Sequence, residues 1–275
     1  MSEPFRMSRQ ELKMLNEDGF VVRENVFSAG ECRRMAADVE QLERDCLAAK
    51  RNSKVVYGSY MFEIQRELQL AVKWEPDNPD VVQGIEPFAH ISKPLRDWAY
   101  DLRLWNPSKD VVGQDELGLF TEKTTMKRAR TGGTIVLHQD YPYWRSMTKI
   151  AHKITTALIY LDDATVENGC LEVSPGSHRD GMRMDRKMVD GFGSNELDEA
   201  KFETHTLIPV EAKAGTVVYF GAFLVHRSLP NRSATDRRAL LYSYQPGGYP
   251  SGVEINRLLA RAREQQRAGP SRTEV

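Results

Sequence analysis

Two stretches decide how this chain is read: Val136–Trp144, VLHQDYPYW, and Tyr219–Arg238, YFGAFLVHRSLPNRSATDRR. The first holds His138 and Asp140, two positions apart. On an extended segment, residues so spaced point the same way, so both side chains can reach one metal ion. The second holds His226, far downstream, where a neighbouring strand can bring it across. Two imidazoles and one carboxylate hold non-heme Fe(II) on one face of its octahedron and leave the other positions open for dioxygen and a co-substrate. Catalytic zinc also uses two His and a carboxylate, so a zinc hydrolase is the competing chemistry. Arg237 speaks against zinc. It stands eleven positions after His226, in the β-rich run RRALLYSY, where it can clamp the far carboxylate of a dicarboxylic co-substrate at two points. Neighbours on a strand face opposite sides, so alternation alone does not choose between Arg237 and Arg238.

Outward from these stretches the chain reads as short β-rich runs at 134–138, 153–161, 170–174, 206–210, 215–220 and 237–244, separated by Gly, Asn and Pro turns. The first part reads differently. Ser8 with Glu11, and Ser28 with Glu31, make capping-box patterns. Met35, Val39, Leu42 and Cys46 then recur at helical spacing, which predicts an amphipathic helix of about five turns. Residues 76–94 hold four prolines and read as a loop that shapes the substrate side, followed by a helix around Lys93–Leu104. Residues 180–204 are charged, carry several Met and Gly, fit no strand, and read as a lid or surface insert. Helices first and short antiparallel strands afterwards predict a mainly β, α+β chain: a sandwich or jelly roll with flanking N-terminal helices. One domain is expected over 1–262, helical at about 8–105 and jelly-roll at about 118–248, with a polar tail over 263–275.

Composition narrows the function classes. The chain has 275 residues, is 40% hydrophobic, and carries a net charge of −1. That suits one sizeable core and gives no electrostatic case for nucleic acid or an anionic membrane. No apolar run approaches the ~20 residues that span a bilayer, and MSEPFRMSRQELK lacks the apolar core of a secretory signal. Cys32, Cys46 and Cys170 are sparse and odd in number, as reduced thiols in a cytoplasmic protein would be.

The motifs together resemble the phytanoyl-CoA dioxygenase family of Fe(II)/2-oxoglutarate oxygenases. Glu17–Ser28 (EDGFVVRENVFS) resembles that family's opening, and Ala157–Arg179 (ALIYLDDATVENGCLEVSPGSHR) its central hairpin. His226–Arg237 matches the pattern H-x-S-x-x-N-x-S-x-x-x-R. The similarity covers roughly residues 10–250. It implies a double-stranded β-helix of the jelly-roll, cupin-like kind. It implies Fe(II), 2-oxoglutarate and O2, with His138, Asp140 and His226 as metal ligands and Arg237 as the inward arginine. Lys127, eleven before His138, sits where members often place a polar residue near the co-substrate, with Arg128 as its rival. An aromatic residue often stands near Leu158 in the family; its lack here leaves that side of the co-substrate pocket open.

Other positions carry an ordinary reading beside the functional one. Thr156 shares a face with Ile154 and Leu158 and is a candidate hydrogen-bonder to the co-substrate. Ser228 either supports the same carboxylate or the metal ligand's orientation, or is a plain turn serine. Tyr141, Tyr143 and Trp144 follow the metal segment and are candidates to wall a substrate pocket, with Trp144 equally suited to the core. The expected activity is hydroxylation of a small metabolite. Desaturation and ring formation stay open, as does a non-catalytic metal-binding jelly roll. Halogenation is disfavoured because Asp140 fills the place a halide would need. No nucleic-acid or membrane partner is expected, and the oligomeric state is unassigned.

Overall fold

The computed structural model describes residues 3–189, 192–202 and 206–258. It opens with α1 (Arg9–Asp18), β1 (Phe20–Arg23) and α2 (Ala29–Ala48). Both helices start in reciprocal capping boxes, Ser8 with Glu11 and Ser28 with Glu31, as their sequences predict. Then come β2 (Lys54–Tyr57), β3 (Tyr60–Gln65), β4 (Leu70–Glu75) and β5 (Asn78–Glu86), followed by α3 (Lys93–Ala99) and α4 (Leu102–Val112). The second half holds β6 (Leu117–Lys127), β7 (Ile135–His138), the single turn α5 (Tyr141–Trp144), β8 (Thr155–Tyr160), β9 (Leu171–Val173) and the hairpin β10 (Arg186–Val189) and β11 (Phe192–Leu197). It closes with β12 (Ile208–Val210), β13 (Val217–Gly221), β14 (His226–Ser228) and β15 (Arg237–Pro246).

Two antiparallel sheets make the jelly roll: β1-β13-β8-β15-β6, and β10-β11-β7-β14-β9-β12. Strand alternation sorts the five-stranded sheet's side chains between two cores. Ala157, Ile159, Val217, Tyr219, Leu240 and Tyr242 pack outward with Met35, Val39 and Leu42 of α2. Leu158, Tyr160, Val218, Phe220, Ala239 and Leu241 pack inward against Leu171 and Val173 of the other sheet. Full burial of such a side chain stabilises by about 1.5–3 kcal/mol. A one-residue slip of β8 or β15 would exchange the two sets, so the register is tightly held.

Three expectations are corrected. Residues 54–86 form a third antiparallel sheet, β2-β3-β4-β5, inserted between the helices. The expected loop over 76–94 therefore contains a strand. Its prolines bracket β5: Pro79 lies near the strand's start and Pro87 just past its end, where a missing N–H costs no ladder bond. Gly84 sets this sheet directly on β6, since a Cβ there would lie 2.4 Å from the Thr124 carbonyl oxygen. The expected helix around Lys93–Leu104 is two helices, broken at Asp101, whose side chain caps α4 by accepting from the Arg103 N–H. Within 180–204, the segment that fits no strand pattern, β10 and β11 pair as a hairpin. Arg186–Val189 (RKMV) and Phe192–Leu197 (FGSNEL) show no alternation of apolar residues, and so carry no strand signal. Residues 190, 191, 203 and 204, and the expected tail over 263–275, lie outside the described residues. Among the described residues no helix is long and apolar enough to cross a membrane.

Candidate metal centre and its two cavities

β7 and β14 are antiparallel neighbours with His138 opposite His226. Asp140 follows immediately after β7, at the start of the α5 turn. One ligand atom from each of the three residues lies within 4.8 Å of the others, and all three residues are buried. The Nδ1 of His138 lies 2.7 Å from the Val136 carbonyl, and that of His226 lies 3.0 Å from the Leu224 carbonyl. A carbonyl only accepts, so each Nδ1 carries the hydrogen and each Nε2 keeps its lone pair for a metal. Asp140 Oδ1 lies 3.8 Å from His138 Nε2 and 3.7 Å from the Lys123 ammonium. Its Oδ2 is buried without a hydrogen-bond partner among the described residues. Two oriented imidazole lone pairs and an unsatisfied carboxylate oxygen fit a divalent cation.

An inner cavity, about 400 Å3 with its open mouth included, lies between the two jelly-roll sheets. His138 and His226 line it, as do Lys123 and Thr125 of β6, Leu158 of β8 and Arg237 of β15. Arg237 is only 2% exposed. Its guanidinium donates to the Gly169 carbonyl at 2.6 Å, the Ser228 hydroxyl at 2.9 Å and the Thr125 hydroxyl at 3.3 Å. Among the described residues its Nε has no hydrogen-bond partner and no carboxylate forms an ion pair with it. Arg238 instead binds Asp162 at 2.8 Å and Glu40 at 3.1 Å. Strand alternation thus resolves in favour of Arg237 as the inward arginine. A buried guanidinium held only by neutral oxygens is costly unless an anion joins it.

A comparison with protein families matches residues 15–239 to the family described as phytanoyl-CoA dioxygenase (PhyH). The chain belongs to the phytanoyl-CoA dioxygenase family. It is an enzyme of the 2-oxoglutarate-dependent non-heme iron class. A phytanoyl-CoA dioxygenase of Arabidopsis thaliana is 23% identical, with 85% of this chain and 87% of the relative covered. An ectoine dioxygenase of Bordetella bronchiseptica is also 23% identical, over 86% of this chain and 75% of the relative. Among solved structures, EctD from S. alaskensis with 2-oxoglutarate and 5-hydroxyectoine superposes with a TM-score of 0.70 at 21% identity, covering 90% of this chain and 78% of that one. The non-heme α-ketoglutarate-dependent carbocyclase SnoK from nogalamycin biosynthesis gives 0.65 at 21% identity, covering 92% and 91%. These likenesses establish the jelly-roll fold.

Not every candidate residue of this phytanoyl-CoA dioxygenase family member reaches a cavity. The Lys127 ammonium is buried among the carbonyls of Gly133, Ser228 and Leu229. Burial, and then the like charge of Arg237, hold its pKa well below the lysine range. Lys127 ties strand ends together and does not line the inner cavity. Thr156 bonds the Ser243 hydroxyl at 3.0 Å, and β8 contributes Leu158 to the cavity. Ser228 links Arg237 to the Gly169 carbonyl, to which its hydroxyl donates at 2.7 Å. Asn231 holds its turn, donating to the Lys127 and Thr235 carbonyls.

A second, outer cleft encloses about 880 Å3, its open mouth included. It shares Lys123, Thr125, Ile135 and His138 with the inner cavity. Tyr143 and Trp144 line it, whereas Tyr141 turns away onto the Phe223 ring at 4.5 Å. Lys123 is the main residue that sequence reasoning missed. The signal was present: Lys123, Thr125 and Lys127 share one face of a strand by alternation.

Burial keeps the pKa of His138 well below the imidazole range, helped by the nearby His226; burial also lowers His226. Burial alone would raise the Asp140 carboxyl, but Lys123 and the two histidines outweigh it and lower it. The site is therefore neutral at both imidazoles and anionic at the carboxylate, ready for a cation. The consequence for metal-free protein has a definite sign. Both imidazoles have folded pKa values below the unfolded value near 6.5, so the unfolded chain takes up protons first as pH falls. Stability of the metal-free protein is expected to decline below about pH 6.5, by up to ~1.4 kcal/mol per imidazole at about pH 5.5. Urea unfolding at the two pH values measures it, and His226→Asn should shrink the difference. An unchanged pH dependence in that variant would contradict the buried neutral imidazole.

Proposed function

We propose that this protein hydroxylates an unactivated C–H bond of a small metabolite, using Fe(II), 2-oxoglutarate and dioxygen. The observation that carries the reading is Arg237, a buried cation without a carboxylate partner, in the same cavity as the two metal-ligating histidines. A dicarboxylic acid spanning that cavity would meet both. His138, Asp140 and His226 would hold the iron. Arg237, supported by Ser228 and Thr125, would take the distal carboxylate in a two-point contact. Bound iron supplies the oxidative decarboxylation of 2-oxoglutarate to succinate and carbon dioxide, and with it the power to break a C–H bond. The chain's own residues do the rest. The two backbone carbonyls at Val136 and Leu224 fix the imidazole tautomers, Lys123 keeps Asp140 ionised, and the apolar side chains of Leu158, Leu171 and Phe220 keep water from the inner cavity. Three free, buried cysteines suit a reducing, cytoplasmic setting.

Ring closure or another outcome that diverges after C–H cleavage is the second reading, favoured by the likeness to a carbocyclase. A succinate-release screen over candidate metabolites, with iron, ascorbate and 2-oxoglutarate, separates the two. Hydroxylation gives a product heavier by one oxygen atom; loss of two hydrogens instead selects the second reading. Absence of any succinate sinks both.

We also propose that the described part of the segment 180–204, which holds the β10–β11 hairpin, covers the outer cleft as a lid. Glu196 on β11 pairs opposite His138 and accepts from the Ser59 N–H at 2.6 Å and the Ser59 hydroxyl at 2.9 Å. It joins the β10–β11 hairpin to the β2–β3 turn beside the cleft. Amide hydrogen exchange in the hairpin is expected to slow on saturation with 2-oxoglutarate and substrate. Unchanged protection would remove the lid reading.

A further inference from the structure

The outer cleft holds two charged groups, Lys73 and Glu86, that form no ion pair among the described residues. Lys73 lies on β4, between Phe62 on β3 and Gly84 on β5. Its ammonium rests 3.5 Å from the centroid of the Tyr60 ring and forms no hydrogen bond or ion pair among the described residues. Glu86, at the end of β5, also lines the cleft, and its carboxylate likewise has no ion pair or hydrogen bond among them. The other charged groups around Lys73 are committed elsewhere. Glu75 accepts from Gln83 at 2.9 Å and from the Gly133 N–H. Glu196 is taken by Ser59 and Lys187, and Lys123 faces Asp140 at 3.7 Å. Burial lowers the Lys73 pKa to about 8, with Glu86 only partly opposing it. An ammonium so placed gains from any carboxylate delivered to it.

With Lys123 facing Asp140, the cleft keeps one positive and one negative group that form no ion pair with each other. A simple anion would leave Glu86 unanswered, and a simple cation would leave Lys73 unanswered. A ligand bearing both signs answers both. The walls between them are aromatic: Tyr60, Phe62, Tyr143 and Trp144. They suit a compact carbon skeleton, and cationic nitrogen is attracted to such ring faces.

We propose that the substrate is a small zwitterion of the amino-carboxylic acid class, its carboxylate held by Lys73 and its cationic nitrogen facing Glu86. The proposal rests on the outer cleft being the substrate side of the oxygenase. Lys73 and Glu86 then determine specificity, and the aromatic wall lays the skeleton beside the metal centre.

The test is calorimetric binding, without oxygen, to the protein loaded with iron and 2-oxoglutarate. The probes are the twenty proteinogenic amino acids, each with its methyl ester and its N-acetyl derivative. At least one free amino acid should bind, and its ester and acetyl forms should bind about fivefold more weakly or worse, the ~1 kcal/mol of a partly exposed charge pair. In Lys73→Met the preference over the ester should vanish while the preference over the acetyl form remains; Glu86→Gln should do the reverse. The selectivity of the unsubstituted protein decides the matter even where a variant fails to fold. No binding by any free amino acid, equal binding of the three forms, or selectivity that survives both substitutions overturns the proposal. Succinate release by the unsubstituted protein in air is scored separately. Succinate without amino-acid binding sinks only this proposal, and selective binding without succinate sinks only the oxygenase reading.

Discussion

Asp140→Ala should lose iron-dependent succinate formation by two orders of magnitude or more, with circular dichroism and thermal unfolding close to those of the unsubstituted protein. Asp140 supplies the only anionic ligand atom of the triad, and one of its oxygens is buried without a partner. Removing one member of a buried charge arrangement costs about 3–5 kcal/mol, or on the order of 10²–10⁴ in an equilibrium constant. The fold should survive, because a partly unsatisfied buried carboxylate adds little to the stability of metal-free protein. Iron affinity and turnover near those of the unsubstituted protein would show that the triad is assigned wrongly.

Arg237→Ala should raise the 2-oxoglutarate requirement roughly thirtyfold or more, since losing one partner of a buried charge pair costs about 2–5 kcal/mol. Iron binding should hardly change, because Arg237 touches Thr125, Gly169 and Ser228 rather than the triad. Arg238→Ala is the control. It removes ion pairs to Asp162 and Glu40 on the far side of the same strand. It should lower thermal stability modestly and shift the 2-oxoglutarate requirement by less than about threefold, within the ~1 kcal/mol of a partly exposed pair. Equal effects of the two substitutions, or the reverse order, would assign the clamp to the wrong arginine.

The parts of the site that were legible in the sequence are those whose chemistry constrains residue type and spacing. His138 and Asp140 must reach one point, His226 must lie on a paired strand, and Arg237 must face inward; β7 and β14 set His138 opposite His226, Asp140 joins them from the start of the α5 turn, and Arg237 lines the inner cavity. The strands β8, β13 and β15 were legible as continuous β-rich runs, because each buries one face in each core. The β2–β5 sheet and the β10–β11 hairpin escaped for a physical reason. Much of β2 is exposed, so burial imposes little pattern on it, and prolines beside β5 resemble a loop until their bracketing positions are seen. The family resemblance placed Lys127 near the co-substrate, and its position in the sequence cannot tell a cavity lysine from one caged by carbonyls. Lys73 and Glu86 gain meaning only once the inserted sheet sets them over the metal centre.

The central claim is that this centre couples 2-oxoglutarate to dioxygen through iron. It is tested most directly by counting 2-oxoglutarate lost against succinate and carbon dioxide formed, with Fe(II) and with Zn(II) in parallel. One succinate and one carbon dioxide are expected per 2-oxoglutarate, only with iron and only in the presence of oxygen. Turnover supported equally by zinc, or 2-oxoglutarate left untouched by the iron-loaded protein in air, would contradict it.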